Sequence, residues 1–199
     1  HNKISNIQRK IMTTIGSSNI FNLAVKGTFD DCQKIVKEMF SDDLFRKKIN
    51  MSGVNSINWA RIICQIVYYF YAVLKLSNDK LSFSVPTGNF GDVYSGYVAK
   101  KMGLPINKLI VATNENDILQ RVISSGEYKP SQVKPSLSPS MDIQVSSNFE
   151  RLLFDLVNQN DQRVSNLMKA LVLKGHFNLD KEELNKIKNV QFSKNISSA

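Results

Sequence analysis

The chain has 199 residues, of which 42% are apolar and 22% charged, and its formal net charge is +9. That balance describes a globular protein of one or two domains able to bury a substantial core. No apolar run is expected to reach bilayer-crossing length, and two histidines and two cysteines leave little for a zinc site, a histidine-based triad or a disulfide framework.

Arg46-Lys47-Lys48 and Lys100-Lys101 are short basic clusters, and no aromatic-basic RNA motif accompanies them. The positive charge therefore reads as a solvated surface, with no nucleic-acid and no membrane partner expected. Cys32 and Cys64 sit in helix-like apolar patterns and are expected to be free, buried thiols. With no signal-like segment at its start, the chain is expected to be intracellular, in the cytoplasm. It begins at His1, so a fragment or processed product of a longer chain is expected.

Residues 11–15 and 21–25 are short and rich in β-branched residues, and predict two strands around the loop Gly16-Ser17-Ser18-Asn19. Thr28, with Asp30 and Asp31 in the first turn, opens a helix; Ser41-Asp42-Asp43 opens a second that ends near Lys47-Lys48. After a polar loop, residues 59–76 form the longest apolar segment. The spacing of Ile62, Ile63, Ile66, Val67, Phe70 and Val73 is helical, and its nearly all-round apolarity predicts burial. Arg61, one turn inside it, must meet an acid, solvent or an anionic ligand.

Asn78-Asp79 turns the chain into the apolar run that precedes Thr87-Gly88-Asn89-Phe90-Gly91-Asp92, a glycine-bracketed turn before a helix at 93–102. A strand feeding a turn that opens a helix leaves several N–H groups converging on one point, and such a point binds anions. Gly88 and Gly91 are expected to allow close wrapping and positive φ, with Asn89 as a further donor or cap. The turn is neither a GxxxxGK[ST] nor a GxGxxG loop, and by itself it fits a plain tight connection equally well.

A second strand at 108–113 and a helix at 118–125, capped by Asn116-Asp117, complete a strand-helix-strand-helix order that argues for a parallel sheet. The proline- and serine-rich stretch 128–139 is a surface connection, and 142–145 a possible short strand. Helices follow at 149–157, capped by Asn148, at 161–174, closed by Gly175, and from Asp180 to about Lys188, with a frayed tail from Phe192.

Asn55-Ser56-Ile57-Asn58-Trp59-Ala60-Arg61, Val85-Pro86-Thr87-Gly88-Asn89-Phe90-Gly91-Asp92 and Ala112-Thr113-Asn114-Glu115-Asn116-Asp117 occur in that order. With Ser138-Pro139-Ser140-Met141-Asp142-Ile143 and Ser147-Asn148-Phe149-Glu150-Arg151, they resemble the threonine synthase family from about residue 12 to 157. The resemblance implies an α/β fold, an open, twisted, mostly parallel sheet with helices on both faces. This is the pyridoxal-phosphate fold type II, tryptophan-synthase β-like, here incomplete.

The resemblance also implies pyridoxal 5'-phosphate as cofactor and conversion of O-phospho-L-homoserine and water to L-threonine and phosphate, a carbon-oxygen lyase reaction. Thr87, Gly88, Asn89, Phe90 and Gly91 would hold the cofactor phosphate; Asn55, Ser56 and Arg61 would grip the substrate phosphate. Residues 1–50 would end the small cofactor-covering domain, 51–157 form the large-domain part with the phosphate loop, and 158–199 a helical extension.

The family's Schiff-base lysine lies in an upstream Ser-Phe-Lys-Asp segment that this sequence lacks, so no catalytic lysine is assigned and no metal is expected. Two alternatives remain at this point: a related phospho-lyase for another phosphorylated hydroxy amino acid, and a non-catalytic truncated binding module.

Overall fold

The computed structural model describes residues 5–27, 29–55, 57–76, 80–189 and 192–193. The expected cap Thr28, the site residue Ser56, the Asn78-Asp79 turn and tail residues 194–199 lie outside them. The chain divides into two compact units, His1–Gly53 and Val54–Ala199.

The first unit is helical. Helix α1, Asn6–Thr13, starts at Ser5, whose side chain accepts a hydrogen bond from the Gln8 N–H at 3.2 Å. The expected strand at 11–15 is thus absent: an N-cap and the i, i+4 pair Ile7 and Ile11 outweigh local β propensity. Residues 21–25 pair with no strand among the described residues and are themselves irregular, so the second expected strand is not found. Helix α2 is Phe29–Ser41 and α3 is Asp43–Lys48, the latter capped by Asp42, which accepts from the Phe45 N–H at 3.0 Å. Arg46, Lys47 and Lys48 fill the last turn of α3, at the negative end of its dipole.

The second unit opens with α4, Trp59–Leu76. Ile62, Ile66, Tyr69 and Val73 form its one buried stripe, while Ile63, Val67, Tyr71 and Leu74 are exposed, so the expected all-round burial holds on one face only. Cys64 shares the exposed side, contrary to expectation; Cys32 is half-buried, and both thiols are free. With 18 residues at mean hydropathy 1.2, α4 does reach the length and apolarity of a membrane-crossing helix, which corrects the reading from the apolar runs. Its buried stripe packs on protein: the Ser95 hydroxyl donates to the Ile62 carbonyl at 3.2 Å.

Strand β1 (Leu81–Pro86), helix α5 (Gly91–Lys101) and strand β2 (Ile106–Ala112) make a parallel βαβ unit with Phe83 opposite Leu109 and Val85 opposite Val111. Helix α5 can lie close to α4 and β2 because Gly96 has no side chain: a Cβ there would sit 2.6 Å from the Tyr69 ring and 2.8 Å from Leu109 Cδ2. Helix α6 (Ile118–Ser125) leads to β3 (Glu127–Tyr128), which pairs antiparallel with β4 (Phe177–Asn178).

Between them come α7 (Phe149–Leu156) and α8 (Asp161–Lys174), and α9 (Lys181–Asn189) follows. Strand β5, Phe192–Ser193, joins β2 in parallel and gives the sheet order β1-β2-β5, so these two residues are paired where fraying was expected. No strand forms at 142–145, because Asp142 and Gln144 spend their side chains on loop hydrogen bonds instead. The result is an incomplete α/β fold around a parallel sheet, its core running through Leu109, Val111, Leu119, Phe149, Leu152 and Ile187.

Candidate functional site

Strand β1 delivers the chain to the turn at its carboxyl end, where open parallel sheets collect ligands. The Thr87 N–H donates to the Ala112 carbonyl at 2.7 Å, continuing the ladder, and the Thr87 hydroxyl donates to the Val85 carbonyl at 2.6 Å. The positive φ expected of the glycines falls on Phe90 instead, at 66°. Phe90 is wholly buried, its ring edge-on to Phe149 at 5.4 Å between centroids. Burying that side chain, worth about 1.5–3 kcal/mol, offsets the roughly 1–2 kcal/mol cost of a left-handed residue.

The smallness of Gly88 serves a close approach: a Cβ there would lie 3.0 Å from Ile143 Cδ1 and 3.2 Å from Met141 Cα. Helix α5 then starts without a side-chain cap. The Asn89 side-chain oxygen accepts from the Gly91 N–H at 3.0 Å. The N–H groups of Gly88 and Asn89 have no hydrogen-bond partner among the described residues. A cradle closed to side chains at Gly88, with donors unspent beside a helix N-terminus, fits a phosphate group.

The second group of expected site residues lies at the start of α4. Asn55 folds its own loop: its side-chain oxygen accepts from the Ile57 N–H at 3.1 Å and its carbonyl from the Asn58 N–H at 3.0 Å. Asn58 caps α4 by accepting from the Ala60 N–H at 2.9 Å. Arg61 is exposed, with one guanidinium nitrogen 3.5 Å from the Val54 carbonyl, and no carboxylate pairs with it among the described residues.

The two loops are joined by residues to which no role was given beyond a cap. The carbonyl of Asn89 accepts from both the N–H and the side-chain amide of Asn148, at 3.0 and 3.2 Å. The side-chain oxygen of Asn148 accepts from Arg151 Nε at 3.0 Å, and Arg151 Nη2 donates to the Ile57 carbonyl at 2.6 Å. The same guanidinium lies over the Trp59 ring at 5.4 Å. Asn148 spends its side chain here, and α7 has no side-chain N-cap bond.

A second network explains Asn114 and Asn116, which sequence reasoning placed only at a strand end and a helix start. The Asn114 amide nitrogen lies 2.8–3.0 Å from Ser136 Oγ, Ser138 Oγ and Asp142 Oδ1, a set among which its two hydrogens are shared. The Asn116 amide donates to the Lys134 carbonyl at 2.8 Å and to Asp142 at 3.1 Å, while its oxygen accepts from the Lys134 N–H at 2.9 Å. Asp142 also accepts from the Ser136 N–H and hydroxyl. These bonds hold the 131–145 segment, and with it Met141 and Ile143, against Gly88. Asp117, expected to cap α6, instead pairs with Arg121 at 2.8 Å.

One ionisable group stands just inside α5. Burial raises the Asp92 carboxyl above its ordinary value, partly opposed by a hydrogen bond from the Tyr69 hydroxyl. Burial and the neighbouring Asp92 push Tyr69 upward as well.

No family model matches the chain. The threonine synthase of Pseudomonas aeruginosa is 54% identical to it over 182 residues, covering 90% of this chain and 39% of that protein. That of Saccharomyces cerevisiae is 51% identical over 193 residues, covering 90% and 38%. The crystal structure of threonine synthase from Brucella melitensis with pyridoxal phosphate bound matches 96% of the chain and 41% of its own length, with a TM-score of 0.85 at 51% identity.

The chain is a homologue of the threonine synthases. It spans about two fifths of the length of the curated relatives it matches. The threonine synthase of Escherichia coli, at 33% identity and a TM-score of 0.73, shares the fold over 97% of the chain.

Proposed function

We propose that this chain carries the two phosphate-binding loops of a threonine synthase, which converts O-phospho-L-homoserine and water to L-threonine and phosphate with pyridoxal 5'-phosphate. The observation that carries the reading is the Gly88 cradle, with the unspent Gly88 and Asn89 N–H groups just ahead of α5. Identity above 50% to threonine synthases supports it over the two alternatives.

In this reading Gly88, Asn89, Phe90 and Gly91, with Thr87 beside them, hold the cofactor phosphate. Gly88 and Asn89 donate to it, Phe90 sets the backbone turn from its buried ring, and Gly91 starts the helix. Pyridoxal phosphate, when bound, supplies a ring that takes up the electron pair released at the substrate's α carbon. Arg61, with Asn55 and Ser56, grips the phosphate that leaves. An exposed guanidinium one turn into a helix suits a dianion, because it brings paired donors and a permanent charge.

Residues 1–50 belong to the end of the cofactor-covering domain, 51–157 to the large domain and 158–199 to a helical extension, in a cytoplasmic enzyme. The lysine that anchors the cofactor is assigned to no position in this chain.

The test is titration of the chain with pyridoxal phosphate, followed by the phosphorus resonance of the ligand, beside a Gly88→Asp variant. Saturable binding that the variant loses is expected. Equal binding by both proteins, or none by either, overturns the reading. Phosphate release from O-phospho-L-homoserine by a polypeptide containing these residues tests the activity.

A further inference from the structure

The carbonyl of Asn89, in the cofactor-phosphate loop, and the carbonyl of Ile57, in the Asn55–Arg61 segment, are both acceptors for one short run of α7. Asn148 donates twice to Asn89, and Arg151 donates to Ile57 at 2.6 Å. The two side chains are themselves joined, Arg151 Nε to the Asn148 oxygen at 3.0 Å. We infer that Arg151 and Asn148 are positioning residues that lock the substrate-phosphate loop to the cofactor-phosphate loop, so that the separation of the two phosphates is set by a single fork. The inference rests on the reading of the two loops given above.

The chemistry of the fork explains the residue types. A guanidinium presents donors in fixed directions, so one Arg can bond Asn148 through Nε and Ile57 through Nη2 while its plane lies over Trp59. A lysine keeps the charge and the attraction to the ring but cannot make both bonds in that geometry. Asn148, fully buried, is both donor and acceptor and so can face a carbonyl and a guanidinium at once. The side-chain hydrogen bonds of both residues run to the two loops and to each other.

Trp59 is the only tryptophan in the chain, so its fluorescence reports this corner alone. The experiment compares acrylamide quenching of Trp59, and dissociation constants for O-phospho-L-homoserine and for pyridoxal phosphate, in the chain and in Arg151→Gln, Arg151→Lys and Asn148→Ala. Trp59 is already 43% exposed, so Arg151→Gln, which uncovers the ring face under the guanidinium, should raise its quenching further and weaken O-phospho-L-homoserine by about tenfold, the loss of the charge-assisted bond to Ile57, with pyridoxal phosphate changed by less than about threefold.

Arg151→Lys should not restore substrate affinity, whereas a role of charge alone would be rescued. Asn148→Ala, which touches neither Trp59 nor Ile57, should free Trp59 as well and weaken both ligands. If that buried variant does not fold, Arg151→Gln and Arg151→Lys decide. Unchanged quenching in Arg151→Gln, equal losses of both ligands in it, or full rescue by lysine overturns the inference. If the unaltered chain binds neither ligand while Arg151→Gln still frees Trp59, the reading of the loops fails and the lock between them stands.

Discussion

Gly88 and Gly96 are small because something else occupies the space a Cβ would take, and the two sites differ in what can yield. At Gly96 the obstacle is the Tyr69 ring at 2.6 Å, itself held by its hydroxyl donating to the Asp92 carbonyl at 2.9 Å. Alanine would gain about 1 kcal/mol of helix propensity. A buried overlap against a fixed ring costs typically 1–3 kcal/mol, so the clash should win. Gly96→Ala is expected to lower the urea midpoint.

At Gly88 the nearest atom is the flexible end of Ile143, with the Met141 backbone behind it at 3.2 Å. Gly88→Ala should therefore cost about 1 kcal/mol of stability yet weaken pyridoxal phosphate about tenfold, because the cradle itself moves. Asp92 adds a pH dependence. Its folded-state carboxyl is raised by burial, so between the unfolded value and that raised value the native state holds more protons than the unfolded one. Stability from this group is present below the ordinary carboxylate range and is lost as pH rises through the folded value. Asp92→Asn should flatten that fall in urea melts taken from pH 3 to pH 7.

Among whole elements, α4 shows what a pattern can and cannot reveal. Its span was legible because 18 residues without Gly or Pro carry a helical apolar repeat. Which side is buried was not, since both sides are apolar and only the Ile62, Ile66, Tyr69, Val73 stripe packs on α5 and the sheet. Ile62→Ala should cost about 2–5 kcal/mol, whereas Val67→Lys, on the exposed side, should stay within about 0.5 kcal/mol in this chain.

Helices α8 and α9 are clasped by polar groups instead. Arg163 forks onto Glu183 at 2.7 and 2.9 Å, and Glu183 also accepts from the Asp180 N–H while Asp180 accepts from the Glu183 N–H. Arg163→Ala leaves a buried carboxylate short of its partner and should cost roughly 1–3 kcal/mol by chemical denaturation, the lower end reflecting the partly exposed arginine.

At the scale of the whole chain, the parallel order of β1 and β2 was legible from the strand, turn, helix, strand sequence, and so was the contiguous turn from Thr87 to Gly91. The lock between the loops was not, because its bonds join residues 59 and 94 positions apart and no local pattern marks such partners. Strand β5 was missed for a related reason: two residues have no periodicity, and Phe192 and Ser193 become a strand only because β2 offers them an edge.

That edge sets the last expectation. Leu109 and Ile110 pair with Phe192 and Ser193, so deleting residues 190–199 would leave β2 paired with β1 alone and its other edge open beside the buried Leu109. Two lost ladder pairs are worth about 1–3 kcal/mol, and an uncovered apolar edge templates pairing with other chains. The truncated chain should melt earlier and scatter light at concentrations where the 199-residue chain stays clear. If it stays equally clear and equally stable, β5 contributes no closure, and the sheet is held by α5 and α6 alone.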